Sequence, residues 1–426
     1  MNGRRKVVVI GAGAREHALV RALVRGAAQG EPREVVAIPG NAGIAREVRC
    51  VPSAQTARAL CAAALAERPD LVVVGPEAPL AEGLADLLAE SEVPCFGPRA
   101  AAARIEASKA FAKEVMHAAF VPTAEGEVFD DPDRARARAR ERGACVVKLD
   151  GLAAGKGVIV CDDGAQAAAA VDALFQPGAR LLIEERLEGK ELSVIGLCDG
   201  ETVLALPPAR DHKRLRDGDE GPNTGGMGAV SPPRDATDKL VADTVRTVLE
   251  PTARELQRRG TPFRGALYAG LMLTPRGVRV LEFNCRLGDP EAQAILLRLR
   301  TDPLPLLLAT AMGRLAGQLP VYDARTAVAV VIAAAGYPAT PRAGDEIRGL
   351  RALAEGEPGG EGDDLWVLHA GTRAEGDRIM TAGGRVLTVA ALGKGPAQAR
   401  ARAYGAAARI QIDGAQLRGD IAAAEV

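Results

Sequence analysis

The most pointed chemistry in this chain of 426 residues sits at Glu282, Asn284 and Arg286, spaced two apart in Leu281-Glu282-Phe283-Asn284-Cys285-Arg286-Leu287-Gly288-Asp289-Pro290-Glu291. A carboxylate and an amide oxygen side by side are hard ligands suited to Mg²⁺, with phosphate oxygens and water completing an octahedron. Val278 to Asn284 alternates apolar and polar residues, the pattern of a strand, so Glu282 and Asn284 share one face. Arg286 continues that face where the strand runs out. Gly288-Asp289-Pro290 breaks the chain, and Glu291 opens a helix through Leu299. The alternative is a charged strand end that is merely solvated, the common fate of such residues.

Further candidates lie upstream. Lys148 is embedded in the apolar run Ala144 to Leu149, where an ammonium group needs a partner. Asp150-Gly151-Leu152-Ala153-Ala154-Gly155-Lys156-Gly157 then leads into a second apolar run, Val158 to Cys161. A glycine-rich hairpin with lysines at base and tip is a flap that can fold over phosphates; a P-loop would instead run from strand to helix. Leu181 to Leu187 is a third strand, whose end can offer backbone groups to a base and Glu191 to ribose hydroxyls, or be an ordinary charged end. Asp211 to Gly228 is the longest irregular stretch, dense in charge and glycine, and long ordered loops divide between function and solvation.

These residues need a scaffold. Lys6 to Ile10 is a short apolar run typical of a buried parallel strand. It ends in Gly11-Ala12-Gly13-Ala14-Arg15-Glu16-His17, which opens a helix to Arg25. Such a turn brings N–H groups to an anion at a helix N-terminus. Glu16 stands where a dinucleotide fingerprint has its third glycine. A single phosphate, or glycine used for turn geometry alone, fits better. Val35–Ile38, Leu71–Val74 and Pro94–Phe96 repeat the theme, ending at Pro39-Gly40-Asn41-Ala42-Gly43, Gly75-Pro76-Glu77-Ala78-Pro79-Leu80 and Gly97-Pro98. Strands alternating with helices imply a doubly wound parallel sheet with ligands outside the strand carboxyl ends.

Composition narrows the class. An apolar fraction of 47% and a charged fraction of 26% are those of a globular enzyme, and 426 residues imply more than one domain. Net charge of -1 and 3% aromatics give no case for nucleic acid or a membrane surface. The most apolar run, Ala327 to Ala335, is too short to span a bilayer, and Met1 to Arg5 runs straight into a strand. Seven scattered cysteines without a CxxC pair, and four histidines far apart, fit a reduced cytoplasmic protein with no zinc site. The tail after Thr326 reads as β-rich and without chemistry.

Taken in order, Gly11 to His17, Pro39 to Gly43, Gly75 to Leu80, Ser108-Lys109, Lys148 to Gly157, Asp211-His212-Lys213, Gly221-Pro-Asn-Thr-Gly-Gly-Met-Gly228 and Glu282 to Glu291 resemble the phosphoribosylamine–glycine ligase (glycinamide ribonucleotide synthetase) family. Each motif alone is weak; the ordered set spans nearly the whole chain. The family belongs to the ATP-grasp enzymes, in which two α+β subdomains clamp ATP between antiparallel sheets. The resemblance implies a doubly wound parallel-sheet domain at 1–107, an ATP-grasp domain at 108–322 with a flap part at 122–191, and a β-rich domain at 323–426.

The resemblance also implies roles. Lys109 and Lys148 match lysines on ATP phosphates, and Gly155, Lys156 and Gly157 match the flap. Glu185 to Leu187 match the adenine hinge and Glu191 the ribose carboxylate. Glu282 and Asn284 match ligands of Mg²⁺ or Mn²⁺. Arg286, Asp211 and Lys213 match positions near glycine, with Arg286, Lys148 and Asp211 expected to be catalytic. Gly11, Gly13, Arg15, His17, Asn41 and Glu77 match the phosphoribosylamine side. The implied reaction consumes ATP, glycine and 5-phosphoribosylamine. A cytoplasmic monomer with transient contacts to neighbouring pathway enzymes is expected. Many ATP-grasp enzymes carry a further metal carboxylate on the partner strand, where Ala269-Gly270-Leu271-Met272 offers none. The rivals are an ATP-grasp purine enzyme activating formate or carbonate, and a non-catalytic nucleotide-binding subunit.

Overall fold

A computed structural model describes residues 4–152, 157–354 and 360–426. Five parallel strands form the N-terminal sheet, in the order Arg49–Cys50, Arg33–Pro39, Arg5–Gly11, Leu71–Val74, Cys95–Phe96. Alternate residues serve opposite faces. Val7, Val9 and Val73 enter a core shared with helix Ala14–Gln29 and with helices Glu291–Arg298 and Pro303–Met312. Val8, Ile10, Val72 and Val74 enter another with helices Ala57–Ala66, Leu84–Glu90 and Ala100–Ala107. Both faces are covered, as the continuous apolar runs required; full burial of each Val or Ile contributes about 1.5–3 kcal/mol. The edge strand Arg49–Cys50 is too short to have signalled itself.

Two antiparallel sheets follow. The first runs Gly126–Phe129, Leu181–Glu185, Cys145–Leu149, Val158–Cys161 and is covered by helices Pro132–Arg142 and Gly164–Leu174. Asp131 and Asp163 start those helices by accepting two backbone N–H groups each. Phe129, Val147, Val171 and Ile183 give this sheet a small core of its own. The second sheet runs Val203–Ala205, Lys190–Asp199, Arg264–Thr274, Gly277–Asn284. Its Val194, Leu267, Val280 and Phe283 share a core with the N-terminal sheet. The second sheet is thus fused to the N-terminal unit, whereas the first is not.

Two expectations need correction. Strict alternation from Val278 to Asn284 fails, because Gly270 pairs with Glu282 while Leu271 pairs with Val280, leaving Leu281 as a bulge. Val280 and Phe283, three apart, therefore both enter the core. A bulge re-aims side chains, and here Glu282 and Asn284 stay together on the side opposite Phe283. The stretch Asp211 to Gly228 is not irregular: Arg210–Asp211, Arg214–Arg216, Glu220–Asn223 and Gly228–Ser231 are short strands. Arg210–Asp211 and Gly228–Ser231 pair with each other, and the latter joins Thr326–Ala333, Arg385–Gly393 and Leu365–His369 in one antiparallel sheet. The further partner of Gly228–Ser231 is a strand about a hundred residues away, which local sequence does not announce. Val121 to Thr123 is tied to the second sheet: Val280 N–H donates to Pro122 O at 2.8 Å, and Thr123 Oγ1 donates to Val280 O at 2.7 Å.

Candidate active site

Glu282 stands among cations. Lys213 Nζ lies 3.6 Å from its Oε1 and 3.1 Å from Glu191 Oε2. Burial works against the Glu282 charge, but Lys213, Lys148, Lys109 and Arg286 outweigh it and hold the carboxyl below its ordinary pKa. An ionised carboxylate beside the Asn284 amide is a donor set that fits Mg²⁺. No cluster of three His, Cys, Asp or Glu groups able to hold a metal occurs among the described residues. Phosphate oxygens and water would have to complete the shell.

The lysines come from three elements. Ser108 Oγ accepts the Phe111 N–H at 3.1 Å, starting helix Lys109–Ala118 with Lys109 in its first turn. Lys109 Nζ donates to Gly151 O at 2.9 Å, and burial pulls its pKa down. Lys148, 7% exposed, finds the partner its apolar strand demanded: Glu184, 2% exposed, at 2.5 Å. Lys148 Nζ also donates to Leu281 O, at the bulge, at 3.1 Å. Glu184 is also paired with Lys113. The flap residues Gly155 and Lys156 lie outside the described residues; Gly157 accepts the Leu149 N–H at 2.8 Å.

Glu185 to Leu187 lie on the connection between the two central sheets, where strand Leu181–Glu185 ends and Lys190–Asp199 begins. Glu185 accepts Glu125 N–H at 3.2 Å and pairs with Arg276 at 3.1 Å. Asp211 sits beside Lys213 over a buried chain in which Ser193 Oγ donates to Glu291 Oε1 at 2.9 Å and meets Tyr268 OH at 2.9 Å. Burial pushes the Asp211 carboxyl well above its ordinary range; Lys213 opposes this, while Glu291, Glu191 and Glu282 add to it. Burial opposes the Lys213 charge, yet Glu191, Glu282 and Asp211 drive its pKa well upward.

Arg286 has all three of its guanidinium nitrogens engaged. Nε meets Glu77 Oε2 at 3.2 Å, Nη2 meets Glu106 Oε1 at 3.1 Å, and Nη1 donates to Leu287 O at 3.2 Å. Glu106 also accepts the Cys285 N–H at 2.8 Å. Burial raises the Glu106 pKa despite Arg286, whereas in Glu77 Arg286 and Arg15 overcome burial and lower it. Glu106 and Glu184 were missed by sequence reasoning. Glu184 had a signal: it sits opposite Val146, diagonal to Lys148 on the neighbouring strand. Glu106 had none.

The N-terminal loops meet this strand end through Arg15 and Glu77. Gly11, at φ +126°, a conformation rare for other residues, turns the chain toward helix Ala14–Gln29. Arg15 Nε meets Glu16 Oε1 at 2.6 Å, and its Nη1 donates to Leu287 O at 3.1 Å. Asn41 Nδ2 donates to Ala12 O and His369 O, both at 2.8 Å. His17, 1% exposed, has both ring nitrogens engaged: Nε2 with Glu47 at 2.9 Å, and Nδ1 accepting the His369 N–H at 2.8 Å. That geometry makes His17 a clasp to the C-terminal sheet, with no ring nitrogen left over for a ligand. The C-terminal region is not inert either. Arg385 pairs with Asp289 at 3.0 Å and donates to Gly225 O at 2.6 Å, fastening two of the motif loops together. Gly226, at φ +109°, lies against Pro290, 2.5 Å from where its Cβ would stand.

Comparison with known proteins gives the arrangement its context. Three sequence profiles of phosphoribosylglycinamide synthetase match in succession: the N domain over residues 5–106, the ATP-grasp (A) domain over 107–292 and the C domain over 327–424. The phosphoribosylamine–glycine ligase of Streptomyces coelicolor is 52% identical over 98% of this chain and 99% of its own. That of Allochromatium vinosum is 47% identical over 98% and 97%. The crystal structure of the Thermotoga maritima phosphoribosylamine–glycine ligase superposes with a TM-score of 0.82 at 33% identity, covering 98% of this chain and 100% of that one. A biotin carboxylase domain from Hydrogenobacter thermophilus, solved with MgADP, shares the fold at a TM-score of 0.71 and 19% identity, covering 97% and 91%. No described helix is long and apolar enough to cross a membrane. With its parallel N-terminal sheet, paired antiparallel sheets and charged strand end, the chain belongs to the phosphoribosylamine–glycine ligase family of ATP-grasp enzymes.

Proposed function

We propose that the crevice joins glycine to 5-phosphoribosylamine at the expense of ATP, giving glycinamide ribonucleotide, ADP and phosphate. The observation that carries this reading is Glu282, ionised beside Asn284 among Lys109, Lys148 and Lys213, in a chain of this family. The glycine carboxylate attacks the γ-phosphorus and ADP leaves, forming glycyl phosphate. The ribosylamine nitrogen then attacks the acyl carbon, phosphate departs and the amine proton is lost. No protein nucleophile is required, because both steps run between bound substrates. The enzyme's task is to bring two anions together and neutralise them.

Each residue has a part in that task. Glu282 and Asn284 would hold Mg²⁺ or Mn²⁺, and the ion would supply positive charge that offsets the negative charge of the phosphates. Lys109 and Lys148 contact the phosphates, where their charge offsets that of the transferring phosphoryl group. The backbone of Glu185 to Leu187 holds adenine and Glu191 the ribose. Asp211 and Lys213 lie beside glycine. Arg286 takes up anionic charge when Glu77 releases it, and Gly11, Gly13, Arg15, Asn41 and Glu77 border phosphoribosylamine. The units are 1–107, 108–322 and 323–426, with 122–191 as the closing part. The working form is a cytoplasmic monomer, to be checked by light scattering.

Glycine labelled with ¹⁸O in its carboxylate tests the intermediate. Transfer of one ¹⁸O into inorganic phosphate is expected. Unlabelled phosphate would exclude glycyl phosphate, and turnover with formate in place of glycine would move the function to a formate-activating relative.

A further inference from the structure

Glu16 has no part in the chemistry above, yet its carboxylate is only 2% exposed. The turn Gly11–Gly13 opens helix Ala14–Gln29, a geometry that commonly receives a phosphate. Here the anion comes from the chain itself. Glu16 folds back so that Oε2 accepts the Gly13 N–H at 2.6 Å and Oε1 accepts Arg15 Nε at 2.6 Å. A Cβ on Gly11 would stand 2.6 Å from Glu16 Cγ, and one on Gly13 2.7 Å from Oε2; one on Gly75 would overlap the carboxylate outright. Three glycines on two loops therefore make room for a carboxylate. Arg15 is fixed in turn, with Nη1 on Leu287 O at 3.1 Å, while its Nη2 has no hydrogen-bond partner among the described residues.

We propose that Glu16 is a positioning and specificity residue: it stands in for a phosphate in the glycine-rich loop, bars nucleotide pyrophosphates from that loop, and sets Arg15 so that its remaining N–H edge serves the phosphate of phosphoribosylamine. This rests on reading the N-terminal crevice as the phosphoribosylamine site. Without Glu16, the buried Arg15 charge loses its nearest counter-charge and faces Arg286 against only Asp289 and Glu77, a costly change that side-chain movement would relieve at the expense of alignment.

The test uses full-length Glu16→Gln, Glu16→Ala and Arg15→Met, with steady-state kinetics in each substrate and a melting curve for each variant. Both Glu16 variants should raise KM for phosphoribosylamine about tenfold, the factor matching one charge-assisted hydrogen bond. KM for ATP and for glycine should stay within about twofold, since no direct contact is lost. Inorganic pyrophosphate should compete with phosphoribosylamine in Glu16→Ala but not in the wild type. If Arg15→Met leaves KM for phosphoribosylamine unchanged, the crevice reading fails and the inference with it. If Arg15→Met raises it while both Glu16 variants behave as wild type, the role given to Glu16 is overturned and the crevice stands. Equal rises in all three KM values with a lowered melting temperature would mark Glu16 as structural only, and also overturn the proposal.

Discussion

The two sides of the crevice carry their charges differently. On the strand side the contacts are long and open: Lys213 reaches Glu282 at 3.6 Å and Glu191 at 3.1 Å, both carboxylates are partly exposed, and Lys109 hydrogen-bonds, among the described residues, to a backbone carbonyl. On the N-terminal side three guanidiniums are already matched, Arg15 by Glu16, Arg286 by Glu77 and Glu106, and Arg21 by Glu47 and Glu361. Loose pairing in partial solvent is weak and readily exchanged for a ligand, whereas buried pairs are costly to break. On the proposed reading, the strand side receives the phosphates, and the N-terminal side holds its shape while a substrate enters. Buried Glu184, paired with Lys148 and Lys113, is the exception on the strand side.

The sharpest way to break this comparison is Glu282→Ala. If the open side is the receptive one, kcat should fall about a thousandfold, the rate equivalent of several kcal/mol of lost charge stabilisation, with little change in melting temperature. Arg286→Lys comes next. Lysine cannot satisfy Glu77, Glu106 and Leu287 O from one planar fork, so turnover should fall about a hundredfold in a folded protein. Wild-type kinetics for that variant would remove Arg286 from the mechanism. Glu184→Ala should destabilise the fold by about 3–5 kcal/mol in denaturant and raise KM for ATP, because it leaves Lys148 and Lys113 buried without a counter-charge. Unchanged stability would mean that this pair is no different from its exposed neighbours.

The smallest effect belongs to the His17–His369 clasp. Burial is the main cause that lowers both imidazoles below 6.5, against Glu47 at His17 and with help from His17 and Arg46 at His369. Above that pH the clasp contributes in full, both rings being neutral in folded and unfolded chains alike. As pH falls, the unfolded chain takes up protons that the buried rings refuse, so stability declines through the folded pKa by up to about 1.4 kcal/mol per pH unit for each ring. Melting temperature should drop between pH 7 and pH 5.5, and His17→Gln should flatten that slope. A wild-type profile with no slope would show that the clasp does not hold the two regions together.

The parts legible in the sequence are those specified locally. The continuous apolar strands at Val7 and Leu71 implied a sheet covered on both faces, and Glu282, Asn284 and the embedded Lys148 implied a charged site. What stayed hidden depends on register and on distant partners. The bulge at Leu281 is set by the pairing of Gly270 and Leu271, and Gly228–Ser231 becomes a strand because Thr326–Ala333 is beside it. Glu106 sits on an ordinary helix, and only tertiary packing brings it to Arg286. The occupied fork of Arg286 and the buried ring of His17 follow from the same cause: residue type announces a charge or an imidazole, but not which neighbour will claim it.

ADP release is the direct test of the central claim, measured with MgATP, glycine and freshly made phosphoribosylamine, omitting each in turn. ADP formation that requires both glycine and phosphoribosylamine, and is lost in folded Glu282→Ala, is the predicted result. ADP formation that proceeds without either substrate, or that survives the loss of Glu282, would contradict it.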